Sequence, residues 1–248
     1  MRLFTIVGIG FVGIAVLFFL SPIHQELSYH QFADARRMFG VPNFLNVVSN
    51  LPFFIAGICG LLFLLGLDNA EFAKRFRERW ERLPFIVFFS SVFLTGIGSS
   101  YYHWEPNNST LFWDRLPLTL VFMSIFGIVI IERIGARVGA RIFPLLILVG
   151  IASVVTWRLT DDLRFYGFVQ FYPIVAIILM LLLFPPRYTR TADFFAVIGW
   201  YILSKVCELM DAQIYSVLGI VSGHSIKHLL ACAATFWILR MIKLRRQI

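Results

Sequence analysis

Charge is what this chain has least of. Only 15% of its 248 residues are Asp, Glu, Lys or Arg, while 59% are hydrophobic, a balance that excludes an ordinary soluble domain. Its three cysteines, Cys59, Cys207 and Cys232, are too few and too odd in number for a disulfide framework. Each falls in an apolar run and reads as a small buried hydrophobe. No low-complexity tract, internal repeat or soluble domain breaks the chain. The ~10-residue alternating segments of a membrane β-barrel are missing as well.

Continuous apolar runs take their place, at about 4–20, 45–67, 84–103, 111–132, 142–157, 167–184, 193–210 and 222–242. Most reach or approach the roughly 20 residues a helix needs to cross hydrocarbon, although the fifth and sixth are short. The expected fold class is therefore an all-α polytopic membrane protein. Residues 1–20 read as a transmembrane helix or uncleaved signal anchor, because Leu20-Ser21-Pro22 is a poor small-x-small cleavage site.

The net charge of +8 is distributed unevenly. Arg2, the Lys74–Arg82 stretch, Arg133, Arg137, Arg141, Arg187, Arg190 and the Arg240–Arg246 tail fall in alternate loops. The opposite loops hold Arg36, Arg37, Arg158 and Arg164, with Arg115 at a segment edge. This bias predicts eight crossings with both termini cytoplasmic. The basic loops are expected to meet anionic headgroups and not nucleic acid. Glu71, Glu78 and Glu81, alternating with basic residues, suit a helix on the membrane surface.

Against this apolar background a few polar groups stand out: Ser99-x-x-x-His103, Asp114 eleven residues later, and His224-x-x-x-His228. Pro106 and Asn107-Asn108 mark a tight turn between the third and fourth runs. Following the crossings, all five groups arrive near the non-cytoplasmic face at compatible depths. A histidine pair at i,i+4 projects from one helix face, and a third histidine from another helix completes a tetrahedral metal site with one open position. Zinc acidifies its bound water to a pKa near 7; Asp114 is a candidate proton shuttle and Ser99 a candidate oxyanion donor. Each group alone has a plainer reading: hydrogen-bonded histidines, a helix cap, or a small residue packing beside Gly96 and Gly98. Their coincidence at one membrane face favours the metal site.

The ordered set of Ser99-x-x-x-His103, Asp114 and His224-x-x-x-His228 resembles the alkaline ceramidases, and more widely the seven-helix hydrolases that include the adiponectin receptors. Asn46-Val47-Val48-Ser49-Asn50 is similar to the segment that opens that family's first core helix. The resemblance implies a seven-helix catalytic domain over residues 43–242, preceded by one extra helix. It implies zinc on His103, His224 and His228, with Ser99 and Asp114 beside it. The activity it implies is zinc-dependent hydrolysis of a linear amide in a ceramide-like N-acyl lipid, drawn from the bilayer, to fatty acid and amine. No protein partner can be read from the residues. The segment Tyr29–Arg37 offers only Asp34 as a hard ligand, and Asn43 stands where the animal enzymes have a glutamate, so a calcium site of their type is not expected.

Other polar residues have structural expectations. Lys205, Glu208 and Asp211 share a helix face and suggest an ion-pair network with Lys227, or a cavity lining beside the zinc. Asn46, Ser49 and Asn50 read as interhelical hydrogen-bonding glue. His24 and His30 are expected in solvent, and Trp104, Trp113, Trp157 and Tyr166 at the membrane interface. Two other functions compete. One is a zinc-containing receptor or sensor without turnover; the other is an ion-coupled transporter, disfavoured by the lack of an inverted repeat.

Overall fold

The computed structural model describes residues 1–248. Every apolar run is a helix: α1 (Arg2–Phe19), α2 and α3 in tandem (Phe44–Val48, Leu51–Leu65), α5 (Leu83–Trp104) and α6 (Asn108–Arg133). Then come α7 (Ala136–Thr160), α8 (Arg164–Leu183), α9 (Thr191–Leu209) and α11 (Gly223–Leu244). Two short helices, α4 (Asn69–Arg75) and α10 (Asp211–Leu218), lie between the long ones. No strand forms, and only two isolated β-bridges occur. The protein is an all-α, multi-pass membrane protein.

Seven of these segments are long and apolar enough to cross a membrane. Asp193, Lys205 and Glu208 set α9 apart, yet all three find partners inside the bundle. The short fifth and sixth runs grow into 25- and 20-residue helices because polar ends such as Arg137, Arg158 and Arg164 extend the helix past the apolar stretch. The expected surface helix forms only in part: α4 holds Glu71, Glu78 lies outside any helix, and Glu81 falls in a 3₁₀ turn at Arg79–Arg82 with its side chain buried.

The seven core segments close into a ring in the order α3, α5, α6, α7, α8, α9, α11, with α11 returning against α3. The seam between α8 and α9 is the exception, for these helices scarcely touch. α1 lies outside the ring on α8, where Gly10 and Gly13 meet Tyr172 and Phe168. Both termini reach the same end: Arg2 donates to the Leu183 carbonyl at 2.8 Å, and Gln247 pairs with Tyr188. There Arg245 is buried among Phe76, Phe85 and Tyr188 and donates to Glu132 at 2.5 Å. This is the basic end. The opposite, cap end carries the 20–43 loop, the α5–α6 turn and α10.

Most of the hydrophobic core, including Phe85, Phe88, Phe89, Ile238 and Ile242, lies toward the basic end. A smaller cluster of Tyr102, Leu111, Val154, Trp157 and Tyr166 supports the cap end. Two residues placed at the interface by sequence, Trp157 and Tyr166, are therefore 1% and 7% exposed and belong to the core. Trp104 and Trp113 do stand at the surface. Cys232 is buried as expected, whereas Cys59 is on the outer face of α3 and Cys207 is half-buried.

Candidate metal centre

Two local features bring the polar residues together. Pro117 has no N–H for the Trp113 carbonyl, so α6 is loosened just where Asp114 sits. Gly98 on α5 fills that spot: a Cβ there would be 2.0 Å from the Trp113 oxygen. Only a glycine lets the two backbones approach so closely, and the approach sets Ser99 beside the Asp114 carboxyl. On the far side, Ser222 caps α11 through the Ser225 N–H. Gly223 lies under the Cys207 carbonyl, which a Cβ would meet at 2.1 Å. Asp211 accepts from the His224 backbone N–H at 2.7 Å and from Ala33 N–H at 2.9 Å, joining α11 to the cap loop.

The result is a buried trio of imidazoles. His103, His224 and His228 offer donor atoms that all lie within 4.8 Å of one another. His103 Nε2 and His224 Nε2 are 3.3 Å apart. Two ligands about 2.05 Å from one tetrahedral zinc would be roughly 3.3 Å apart, so this pair already has the required spacing. The rings meet at steep angles, 57–88°, and aim toward a common point instead of stacking. His228 Nδ1 is engaged with Ser49 Oγ at 2.7 Å, leaving Nε2 free. Phe32 packs on His103 and His224 with centroids 4.7 Å from each, excluding water from above. His103 Nδ1 is buried without a hydrogen-bond partner. Three uncharged nitrogen donors, dry and convergent, fit a metal ion.

A cavity of about 450 Å³ runs down from this centre between α5, α6, α8, α9 and α11. Ser99, Asp114 and His228 line its cap end, together with Arg115, Lys205, Glu208 and Lys227. Below them the wall is apolar, down to Phe88 and Ile238. From Lys227 to Ile238 the cavity follows α11 for about 16 Å. Phe171, which lines it, is 53% exposed, so the loose α8–α9 seam opens sideways to the surroundings.

Lys205 and Lys227 both pair with Glu208, the latter at 2.6 Å, so the expected network and the cavity lining are the same three residues. Asp211 is outside it, occupied with the caps described above. Arg115 is not an edge residue. It is 6% exposed, with its guanidinium 4.2 Å from the Trp157 ring and 4.8 Å from the Tyr166 ring.

The cap loop is more ordered than its composition suggests. His30, expected in solvent, bridges Tyr102 and Asn108 at 2.9 Å each. His24 stays exposed and pairs with Asp161. Asp34 gives both carboxylate oxygens to Arg36, whose hydrogen bonds hold its pKa below the ordinary carboxylate value. Asn46 donates to the Asp34 carbonyl at 3.2 Å and accepts from Ser225 at 2.7 Å, acting as the expected glue. Ser49 does more than that, since it orients a ring of the trio. Phe32 and Ser49 were invisible as site residues because an aromatic in a loop and a serine in a turn have no spacing signature. No protein-family model matches the chain, and no curated protein matches it.

Proposed function

We propose that the protein is a membrane-embedded, zinc-dependent hydrolase that cleaves the amide of a ceramide-like N-acyl lipid to fatty acid and amine. One observation carries this reading: the buried imidazole trio adjoins, through His228, the polar end of an acyl-chain-sized cavity that opens sideways between α8 and α9. Held by His103, His224 and His228, zinc would supply a Lewis acid and an acidified water. The residues around it have separable tasks. The apolar wall takes the acyl chain from the bilayer and positions the scissile carbonyl at the cap end. Asp114 takes a proton from the attacking water and returns it to the leaving nitrogen. The Ser99 hydroxyl donates to the carbonyl oxygen as negative charge grows there. Phe32 and the cap loop keep bulk water away.

Both basic-end termini would face the cytoplasm under the positive-inside rule, placing the metal centre toward the non-cytoplasmic leaflet. The combination of a proton-accepting carboxyl and a donor hydroxyl beside the trio favours turnover over a receptor role, since a merely structural metal needs neither. The test is release of labelled fatty acid from an N-acyl lipid in detergent or vesicles. Wild-type protein should be active, and chelation or His228→Ala should abolish activity. Full turnover after chelation, or equal rates for His228→Ala and wild type, would overturn the proposal.

A further inference from the structure

Five charged side chains line the cavity, and they do not balance. Arg115, Lys205 and Lys227 are cationic; only Asp114 and Glu208 are acidic. Lys205 and Lys227 share the single carboxylate of Glu208. Arg115 has none: its one side-chain hydrogen bond goes to the neutral Gln25 Oε1 at 2.6 Å. Its Nη1 is buried and without a partner, and the rings of Tyr29, Trp157 and Tyr166 surround the guanidinium. Asp114 is its neighbour in sequence but points about 100° away around the helix, and the two form no ion pair. A divalent metal on three neutral imidazoles would add further positive charge at the same end. Excess charge of one sign in a dry wall is unfavourable until a counter-charge arrives.

We propose that the amphiphile this cavity holds carries an anionic group, a carboxylate or a phosphate, and that Arg115 recognises it together with Lys205 and Lys227. This deepens the hydrolase reading and rests on it for the occupancy of the cavity by an acyl lipid. The substrate class becomes an N-acyl lipid whose amine half is acidic. A neutral alcohol headgroup leaves the guanidinium unpaired; an anion in the same cavity pairs with it and is attracted by the two lysines.

Binding can be read without turnover, using ligands that share one alkyl chain and lack an amide. Calorimetric titration of the full-length, zinc-loaded protein in detergent would compare 2-dodecyloxyethanol, dodecyloxyacetate and 2-dodecyloxyethyl phosphate. The better of the two anions should bind about ten- to a hundredfold more tightly than the alcohol, and which anion it is identifies the headgroup. Arg115→Gln should remove most of that advantage while leaving the alcohol's affinity little changed. Glu208→Gln should strengthen anion binding, because it frees two lysines from their carboxylate. If Arg115→Gln does not fold, Glu208→Gln and Lys205→Gln, at the half-exposed rim, carry the test in opposite directions. Equal affinities of wild type for all three ligands would sink the assignment, as would an Arg115→Gln protein that loses all three equally. Those results leave the hydrolase reading intact, since its own test is product release. Anion preference without hydrolysis would do the reverse.

Discussion

Ser49→Ala deletes one hydroxyl in the turn between α2 and α3, which supply no ligand to the candidate metal centre, and should still weaken that centre. Ser49 Oγ lies 2.7 Å from His228 Nδ1, and both residues are buried. The bond fixes the ring's orientation and leaves Nε2 facing His103 and His224. Without it, the imidazole can rotate or exchange tautomers, and Nδ1 is left unsatisfied in a dry site. Loss of such an outer partner lowers metal affinity by about 10–100-fold, or roughly 1.4–2.8 kcal/mol. The unsatisfied nitrogen should destabilise the metal-free fold by about 1–3 kcal/mol as well. Competition against a chromophoric zinc chelator measures the first effect, and thermal unfolding of chelated protein the second. Ser49→Thr keeps the hydroxyl and should recover most of the affinity. His228→Ala, which removes the ligand itself, should fall well below Ser49→Ala. If Ser49→Ala binds zinc as tightly as wild type, the bond does not position His228 and this account of the second layer fails.

Three further outcomes follow from the geometry. Gly98→Ala puts a Cβ against the Trp113 carbonyl. It should destabilise the protein by about 1–3 kcal/mol, lowering Tm and, by moving Asp114 away from Ser99, hydrolysis more steeply than stability; a variant with wild-type Tm would disprove the close α5–α6 approach. Asp34 has a folded pKa depressed by Arg36 below its unfolded value of 3.8. Its hold on the cap loop is therefore complete at neutral pH, fades as pH falls below 3.8 and is lost past the folded value. Hydrogen-exchange protection of residues 31–43, relative to the intrinsic amide rate at each pH, should fall in that acid window, and Asp34→Asn should show low protection already at pH 7; protection that is flat with pH in both proteins contradicts this. Phe171→Trp should narrow the α8–α9 seam and slow association of a fluorescent acyl lipid while zinc stoichiometry is unchanged; identical association kinetics would place the portal elsewhere.

What the sequence made legible was set by the strength of each residue's local signal. Eight apolar runs became eight helical segments because runs of this length in lipid have one way to satisfy their backbone. The pair His224 and His228 was readable from i,i+4 spacing, since a helix puts both on one face whatever the surroundings. His103 lies on another helix. Its convergence followed only from counting crossings by loop charge, which gives depth along the bundle but not rotation about the helix axis. Gly98 and Pro117 supply that rotation and approach, through a missing Cβ and a missing N–H. Arg115 was misplaced for a related reason. Seven residues into α6, a cation looks interfacial on depth alone, but Trp157, Tyr166 and the cap-loop residue Gln25 close over it.

The cavity was the least legible feature, and the reason is physical. A helix face that packs on its neighbour and one that lines an empty channel have the same composition, since both exclude water. The faces of α8 and α9 carrying Ile174, Ile177, Val197 and Ile198 would suit a tight interface as well as a lipid path. What keeps them apart is polar and distant. At the cap end, Glu208 ties α9 to Lys227 on α11. At the basic end, Asp193 on α9 pairs with Arg240 on α11 and accepts from Trp237 at 3.0 Å. With both ends of α9 tied to α11, α8 is left to pack on α1, α6 and α7, and the ring stays open at one seam. Neutralising both anchors, with Asp193→Asn and Glu208→Gln together, should therefore let α9 settle against α8 and shrink the cavity. Disulfide trapping between Phe171→Cys and Ile198→Cys reads that closure directly. Trapping no faster in the neutralised background than in wild type would show that the seam is held open by something other than these ion pairs.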